Sequence, residues 1–208
     1  MKNKGFFISI EGIDGSGKST QADLLYDFLQ TKYDVIKTRE PGGCEISEKI
    51  RDILLSRDLK LFDTTELLLM EAARSEHFFS LIKPSLDTGK IVICERFIDS
   101  TIAYQGYGRG MDLVKIESFN DFATNGIKPD ITLFFDTDEN ESYGRIEGAF
   151  DRLEKEGIDF QKKVRQGFLK IAERESDRVR VINVFSLAKE EVHEKVVSII
   201  SSVLGKRL

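Results

Sequence analysis

The sequence holds only two cysteines, Cys44 and Cys94, and two histidines, His77 and His193. Nothing in their spacing makes a metal site, and two cysteines are too few for a disulfide scaffold; free thiols suit a reducing compartment. No apolar run approaches the ~20 residues of a membrane span. No charged segment followed by an apolar one opens the chain, so no secretory leader is expected and the cytoplasm is the expected location. Basic charge is not in excess either: 31 Lys and Arg stand against 36 Asp and Glu, a net charge of −5. A general nucleic-acid surface needs the opposite balance, although a local basic cleft stays open. There is no internal repeat and no low-complexity linker. What is present is 208 residues, 40% of them hydrophobic, which suits one domain spanning 1–208 with a core of its own.

Short apolar runs alternate with helical patterns. FFISIE (Phe6 to Glu11), VIKT (Val35 to Thr38), IVIC (Ile91 to Cys94), ITLFFD (Ile131 to Asp136) and VRVINV (Val179 to Val184) read as strands. Helices are expected from Lys18 to about Thr31, around Ile46, Ile50, Ile53 and Leu54, from Thr64 to about Leu86 with a kink or end near Pro84, and from Lys189 onward. Five strands separated by helices predict a parallel sheet covered on both faces. Glu139 to Gly157 stands apart: it is highly charged, contains Gly144, Gly148 and Gly157, and has little apolar period. It reads as a surface flap.

Between the first strand and the first helix lies GIDGSGKS, which fits G-x-x-x-x-G-K-[ST]. Glycines let backbone N–H groups turn inward toward phosphate oxygens, and the helix N-terminus adds its positive end. The expected nucleotide-phosphate contacts are Gly12, Ile13, Asp14, Gly15, Ser16, Gly17, Lys18, Ser19 and Thr20. Lys18 is expected on the β- and γ-phosphates of ATP and Ser19 on Mg²⁺. The fold expectation is therefore an α/β three-layer P-loop NTPase fold, a five-stranded parallel sheet flanked by helices, with a small mobile lid over about 139–157. A GTPase needs N-K-x-D after a later strand, and NGIKPD (Asn125 to Asp130) lacks that spacing. Motors and large ATPases need more chain, which leaves a small-molecule kinase.

Three further stretches belong near the phosphate loop, because ligands of an open parallel sheet lie beyond the carboxyl ends of its strands. They are TREPGG (Thr38 to Gly43), EAARSEH (Glu71 to His77) and ERFIDSTIAYQGYGRG (Glu95 to Gly110). With Arg51 they bring Arg39, Arg74, Arg96 and Arg109 toward one region, as a second phosphate-bearing ligand would require. By its place Glu95, at the end of the third strand, is the carboxylate expected on the Mg²⁺ side.

The set FxxxEGxDGxGKST, TREPGG, AARxEH, RxxDSxxAYQGxGRG and DRLE resembles the bacterial thymidylate kinases, from Phe7 to about Ala172. The resemblance implies MgATP and dTMP as substrates, dTDP and ADP as products, and a homodimer packed through helices such as Thr64 to Leu86. It implies that Asp14 accepts from the deoxyribose 3′-hydroxyl, and that Arg51 and Arg96 clamp the dTMP phosphate with Arg39 and Glu40 nearby. It puts Arg74 on a thymine carbonyl, Gln105 on the thymine amide edge with Ser100 and Thr101 beside it, and Tyr104 under the sugar. The catalytic set is Lys18 and Arg96 with Arg145 and Arg152 from the flap, since the loop residues Ile13 to Ser16 carry no cation. Arg109 reads as structural or at the rim.

Three positions depart from the pattern. Met70 replaces the usual Phe stacked on thymine, exchanging a rigid platform for a flexible sulfur; weaker dTMP binding, or a compensating aromatic, is expected. Glu95 replaces Asp, moving the charge by about 1.5 Å. Glu147 stands where some members have a second arginine. Alternatives are a kinase for another deoxynucleoside monophosphate such as dUMP, and a non-catalytic ATP-binding switch.

Overall fold

The computed structural model describes residues 5–145 and 152–205. Five strands, β1 (Phe6–Glu11), β2 (Val35–Arg39), β3 (Ile91–Glu95), β4 (Ile131–Asp136) and β5 (Val179–Asn183), form one all-parallel sheet in the order β2-β3-β1-β4-β5. The central strands β1 and β4 are buried along their whole length, while β2 and β5 at the edges are buried only at their first and fourth residues. β1 shows the two-residue period of a strand. Phe6, Ile8 and Ile10 enter a cluster with Leu25 and Leu29 of helix α1 (Lys18–Leu29) and with Val196 and Ile200 of α9 (Lys189–Gly205). Phe7 points the other way and meets Phe97 edge-on, with ring centroids 4.8 Å apart. This is the P-loop NTPase sheet with helices on both faces.

The remaining helices are α2 (Glu45–Leu55), α3 (Asp63–His77), α4 (Lys83–Asp87), α5 (Ile98–Thr101), α6 (Leu113–Thr124), α7 (Glu139–Gly144) and α8 (Ile158–Arg174). The long helix expected over Thr64 to Leu86 is irregular before Pro84: a wide π-helical turn, Phe78–Ile82, separates α3 from α4, and the proline takes a first-turn position of α4, where its missing N–H costs nothing. Neither α6 nor α8 figures among the expected helices, although Phe160, Val164, Phe168 and Ile171 give α8 a plain helical stripe against β4. The flap is not wholly a surface element. Glu139, Ser142 and Leu153 are buried, and Arg165 of α8 pairs with both Asp136 and Glu139. Gly148 and Glu147 lie outside the described residues.

Candidate active site

Sheet register brings the three strand ends together. Arg39 of β2 pairs with Glu95 of β3, and Glu95 with Ile10 of β1. Beyond them the chain opens into the loop Gly12 to Gly17, and Lys18 starts α1. Gly15 and Gly17 sit at φ +77° and +87°, a region that glycine alone enters freely. The Lys18 ammonium lies over the loop and donates to the Ile13 carbonyl at 2.7 Å. Burial, and then the charge of Arg96, push the Lys18 pKa down to about 8, with Asp14, Glu95 and Glu11 acting against them. Ser19 is exposed at the start of α1.

Beside the loop lies a cavity of about 180 Å³. Asp14, Arg39, Glu40, Arg51, Met70, Arg74, Arg96, Ser100, Thr101, Tyr104 and Gln105 all line it, so every expected acceptor contact reaches one space. Pro41, Leu55, Glu95 and Leu153 complete its wall.

Arg96 holds the boundary between loop and cavity. Its backbone is left-handed at φ +65°, a conformation costing a non-glycine residue about 1–2 kcal/mol. Neighbouring bonds fix it there. The Arg96 N–H donates to the Ile10 carbonyl at 2.9 Å, and wholly buried Glu11 accepts from the Phe97 N–H at 2.7 Å and the Ser100 hydroxyl at 2.6 Å. The guanidinium donates to the Gly12 carbonyl (3.0 Å) and Ser100 Oγ (3.2 Å), and pairs with Asp14. It lies 5.0 Å from the centre of the Tyr104 ring. Its bonds to Gly12, Ser100 and Asp14 run through Nη1 and Nη2 and it also meets the Tyr104 hydroxyl, while the guanidinium lines the cavity, where a phosphate oxygen could join these partners. Asp14 also accepts from the Tyr104 hydroxyl at 3.0 Å and from Gln161 Nε2 at 3.5 Å. Burial alone would raise the Asp14 carboxyl; Arg96 and Lys18 outweigh it and hold it low.

The far end of the cavity is set by α3. Glu66, Met70 and Arg74 recur every four residues and so share one face. Arg74, 3% exposed, is committed to protein partners: Glu40 at 2.8 Å, Glu71 at 2.8 Å, Thr101 at 2.7 Å, Asn120 at 2.6 Å and the Phe97 carbonyl at 3.0 Å. Of its five donors one Nη2–H remains for a ligand. Behind it His77 joins Thr38 (2.7 Å) to Glu40 (3.1 Å). A second π-helical turn, Ile102–Gly108, follows α5. It lets the adjacent Tyr104 and Gln105 both face inward, one toward Asp14 and the other toward Glu66. Such turns gather at functional sites because they free side chains from helical spacing.

The outer arginines differ from one another. Arg51 donates to the Pro41 carbonyl at 2.7 Å. Arg39 makes two 3.0 Å bonds to Glu48. Arg109 is structural, holding Glu66 with two bonds of 2.6 and 2.9 Å and Glu156 at 2.9 Å. Arg145 follows α7, whose Ser142 hydroxyl donates to the Asp14 carbonyl, so it stands one turn from the phosphate loop and pairs with Glu141. Arg152 is bound to the Leu54 carbonyl (2.8 Å) and Glu66 (2.6 Å), on the acceptor side.

A sequence profile described as Thymidylate kinase matches residues 10–196. The chain belongs to the thymidylate kinase family. Two similar family proteins are the thymidylate kinases of Sulfurihydrogenibium sp. (strain YO3AOP1), 52% identical over 181 residues that cover 86% of this chain and 89% of that protein, and of Kosmotoga olearia, 44% identical over 194 residues covering 92% and 93%. Among solved family structures, that of thymidylate kinase from Ehrlichia chaffeensis superposes with a TM-score of 0.80 at 41% identity, covering 95% of this chain and 98% of that one. Glu66, Asn120 and Gln161 are not singled out by the sequence, and Glu11 and His77 stand there only as letters of the motifs, with no role in the site assigned to them. Each is a buried polar group whose partners are distant in the chain; the motif letters signal Glu11 and His77, and the four-residue spacing from Met70 and Arg74 signals Glu66.

Proposed function

We propose that the chain transfers the γ-phosphoryl group of ATP to the 5′-phosphate of dTMP, giving dTDP and ADP for dTTP synthesis. The observation that carries this is the single cavity where Arg96 joins the phosphate loop at one end and Gln105, Arg74 and Met70 offer base contacts at the other. The acceptor phosphate has a second pKa near ~6, so at neutral pH it attacks as the dianion and no general base is needed. Lys18 and Arg96 supply positive charge on either side of the transferring group, and the scaffold aligns the two phosphates. Asp14 takes the 3′-hydroxyl on a lone pair left over from Arg96 and Tyr104, with Tyr104 closing the sugar side. Arg51 and Arg39 approach the acceptor phosphate from α2 and β2, with Glu40 holding Arg74.

Mg²⁺ suits the residues at hand. Among the described residues no group of three or more acidic, histidine or cysteine ligands exists, whereas Mg²⁺ in kinases takes one or two protein oxygens and the rest from phosphate and water. Ser19 and Glu95 would hold it, and its charge would neutralise the β- and γ-phosphate oxygens. Of the flap arginines, Arg145 is nearer the phosphate loop and is the better candidate for the γ-phosphate; Arg152 would have to leave Glu66 first.

In a coupled ADP-release assay, dTMP should be the best acceptor among dTMP, dUMP, dCMP and dGMP. dUMP should follow at about a tenth to a hundredth of its kcat/KM, because one methyl is worth ~1–3 kcal/mol. Arg145→Ala should lower kcat more than Arg152→Ala does. ADP release equal with and without any monophosphate would reject the kinase reading.

We also propose a homodimer through α3, the π-helical turn after it, and α6: α3 exposes Leu68, the turn Phe79, and α6 Val114, Phe119 and Phe122, Phe122 at 87%. Burial of these exposed apolar side chains against a second copy would favour association. Sedimentation should give twice the 23.7 kDa chain mass and Phe122→Glu the single mass; a wild-type monomer at micromolar concentration would refute it. No helix of the described residues is long and apolar enough to cross a membrane.

A further inference from the structure

Glu66 stands one helical turn beyond Met70 on α3, is 1% exposed, and does not line the cavity. Three side chains donate to it: Gln105 Nε2 at 2.9 Å, Arg109 through Nε and Nη2 at 2.6 and 2.9 Å, and Arg152 Nη1 at 2.6 Å. Burial pushes its carboxyl up, but Arg109, Gln105 and Arg152 together outweigh that and hold it below the usual range. An ionised carboxylate only accepts hydrogen bonds. Gln105 must therefore turn its NH₂ toward Glu66 and its carbonyl oxygen away. Gln105 lines the cavity, and among the described residues nothing donates to its Oε1. A carbonyl so placed accepts from a ring N–H and repels a ring-nitrogen lone pair. Thymine presents an N3–H; cytosine presents a lone pair at N3.

We infer that Glu66 is a positioning residue for base selection: without touching the nucleotide, it locks the Gln105 amide in the orientation that accepts from thymine N3–H and refuses cytosine bases. This rests on the reading of the cavity as the dTMP site. Arg109 and Arg152 both pair with Glu66, so the loss of Arg109 alone leaves the carboxylate in place with a cation beside it.

The test compares dTMP with 5-methyl-dCMP, which keeps the methyl group and changes N3 and the 4-substituent. A buried acceptor facing a lone pair rejects the wrong ligand by on the order of 10⁴. Glu66→Gln can donate to Gln105 as well as accept from it, so the amide is free to turn over. The kcat/KM ratio of dTMP to 5-methyl-dCMP should then narrow at least tenfold; Arg74 contributes equally in both proteins. Arg109→Met removes two bonds to Glu66 but leaves the carboxylate beside Gln105, so it should lower Tm and keep the wild-type ratio. If Glu66→Gln does not fold, Glu66→Gln/Arg109→Gln removes the carboxylate together with its main cation and should narrow the ratio in the same way. An unchanged ratio in a folded variant active on dTMP overturns the inference, as does equal narrowing in Arg109→Met, which would mean general loosening. Wild-type protein inactive on dTMP would instead overturn the site reading, and the inference with it.

Discussion

Arg96→Ala should lower kcat/KM for dTMP by about 10³, by far the largest loss from any side chain of the acceptor cavity. Two bonds to a phosphate dianion are each worth about 1.5–3 kcal/mol, and each 1.36 kcal/mol is a decade in rate. The substitution also strands Asp14, which then keeps only Tyr104 and the longer Gln161 contact. Backbone and side-chain effects can be separated. Alanine retains the strain of φ +65° while losing the guanidinium anchors on Gly12 and Ser100; Arg96→Gly loses the anchors and the strain together. Both variants should be equally inactive, while the glycine variant melts at the higher temperature. Arg96→Lys should recover little, since an ammonium cannot bridge Gly12, Ser100, Asp14 and a phosphate at once. Steady-state kinetics beside melting curves decide it. Activity of Arg96→Ala within tenfold of wild type would remove Arg96 from the mechanism, and a lower Tm for the glycine variant would remove the strain account.

The same residue shows how far the sequence could be read. Arg96 follows a strand end, and strand ends are legible: β1 and β4 match their apolar runs residue for residue because both faces of a central strand are buried. The phosphate loop is legible because its backbone conformation demands glycine at fixed places. That Arg96 would adopt a left-handed backbone is not legible, since the cause is Glu11, far away in the chain. The inward turn of Tyr104 and Gln105 depends on a π-helical turn that no apolar period announces. The flap reads as a surface element in the sequence because the partners that bury part of it, Arg165 and Asp14, are distant in the chain. Arg74 shows the reverse case. Its charge was legible, but most of its donors are spent on Glu40, Glu71, Thr101 and Asn120, so it stabilises the cavity wall as much as it offers a contact.

Lys18 should make ATP binding depend on pH. In the free protein its ammonium is held to about 8, by burial first and by Arg96 second. Above that pH an increasing fraction is neutral and gives the phosphates no charge. Titration calorimetry without acceptor should find the Kd for MgATP nearly constant from pH 7 to 7.5 and then rising, by about thirtyfold at pH 9.5 if only the protonated lysine binds. kcat at saturating ATP should stay flat across the same window, because bound phosphates raise the lysine pKa and hold the proton in place. Glu11 is the competing group. Burial and the charge of Asp99 push its pKa up to about 8 as well. The two act in opposite senses: an ionised Glu11 raises the Lys18 pKa and so sustains binding. Glu11→Gln should therefore leave the rise in Kd in place and shift its onset to lower pH, whereas Lys18→Met should bind ATP weakly at every pH and show no rise. A rise that vanishes in Glu11→Gln would transfer the effect to the carboxylate, and a Kd flat to pH 9.5 in wild type would mean that the lysine remains charged despite its burial.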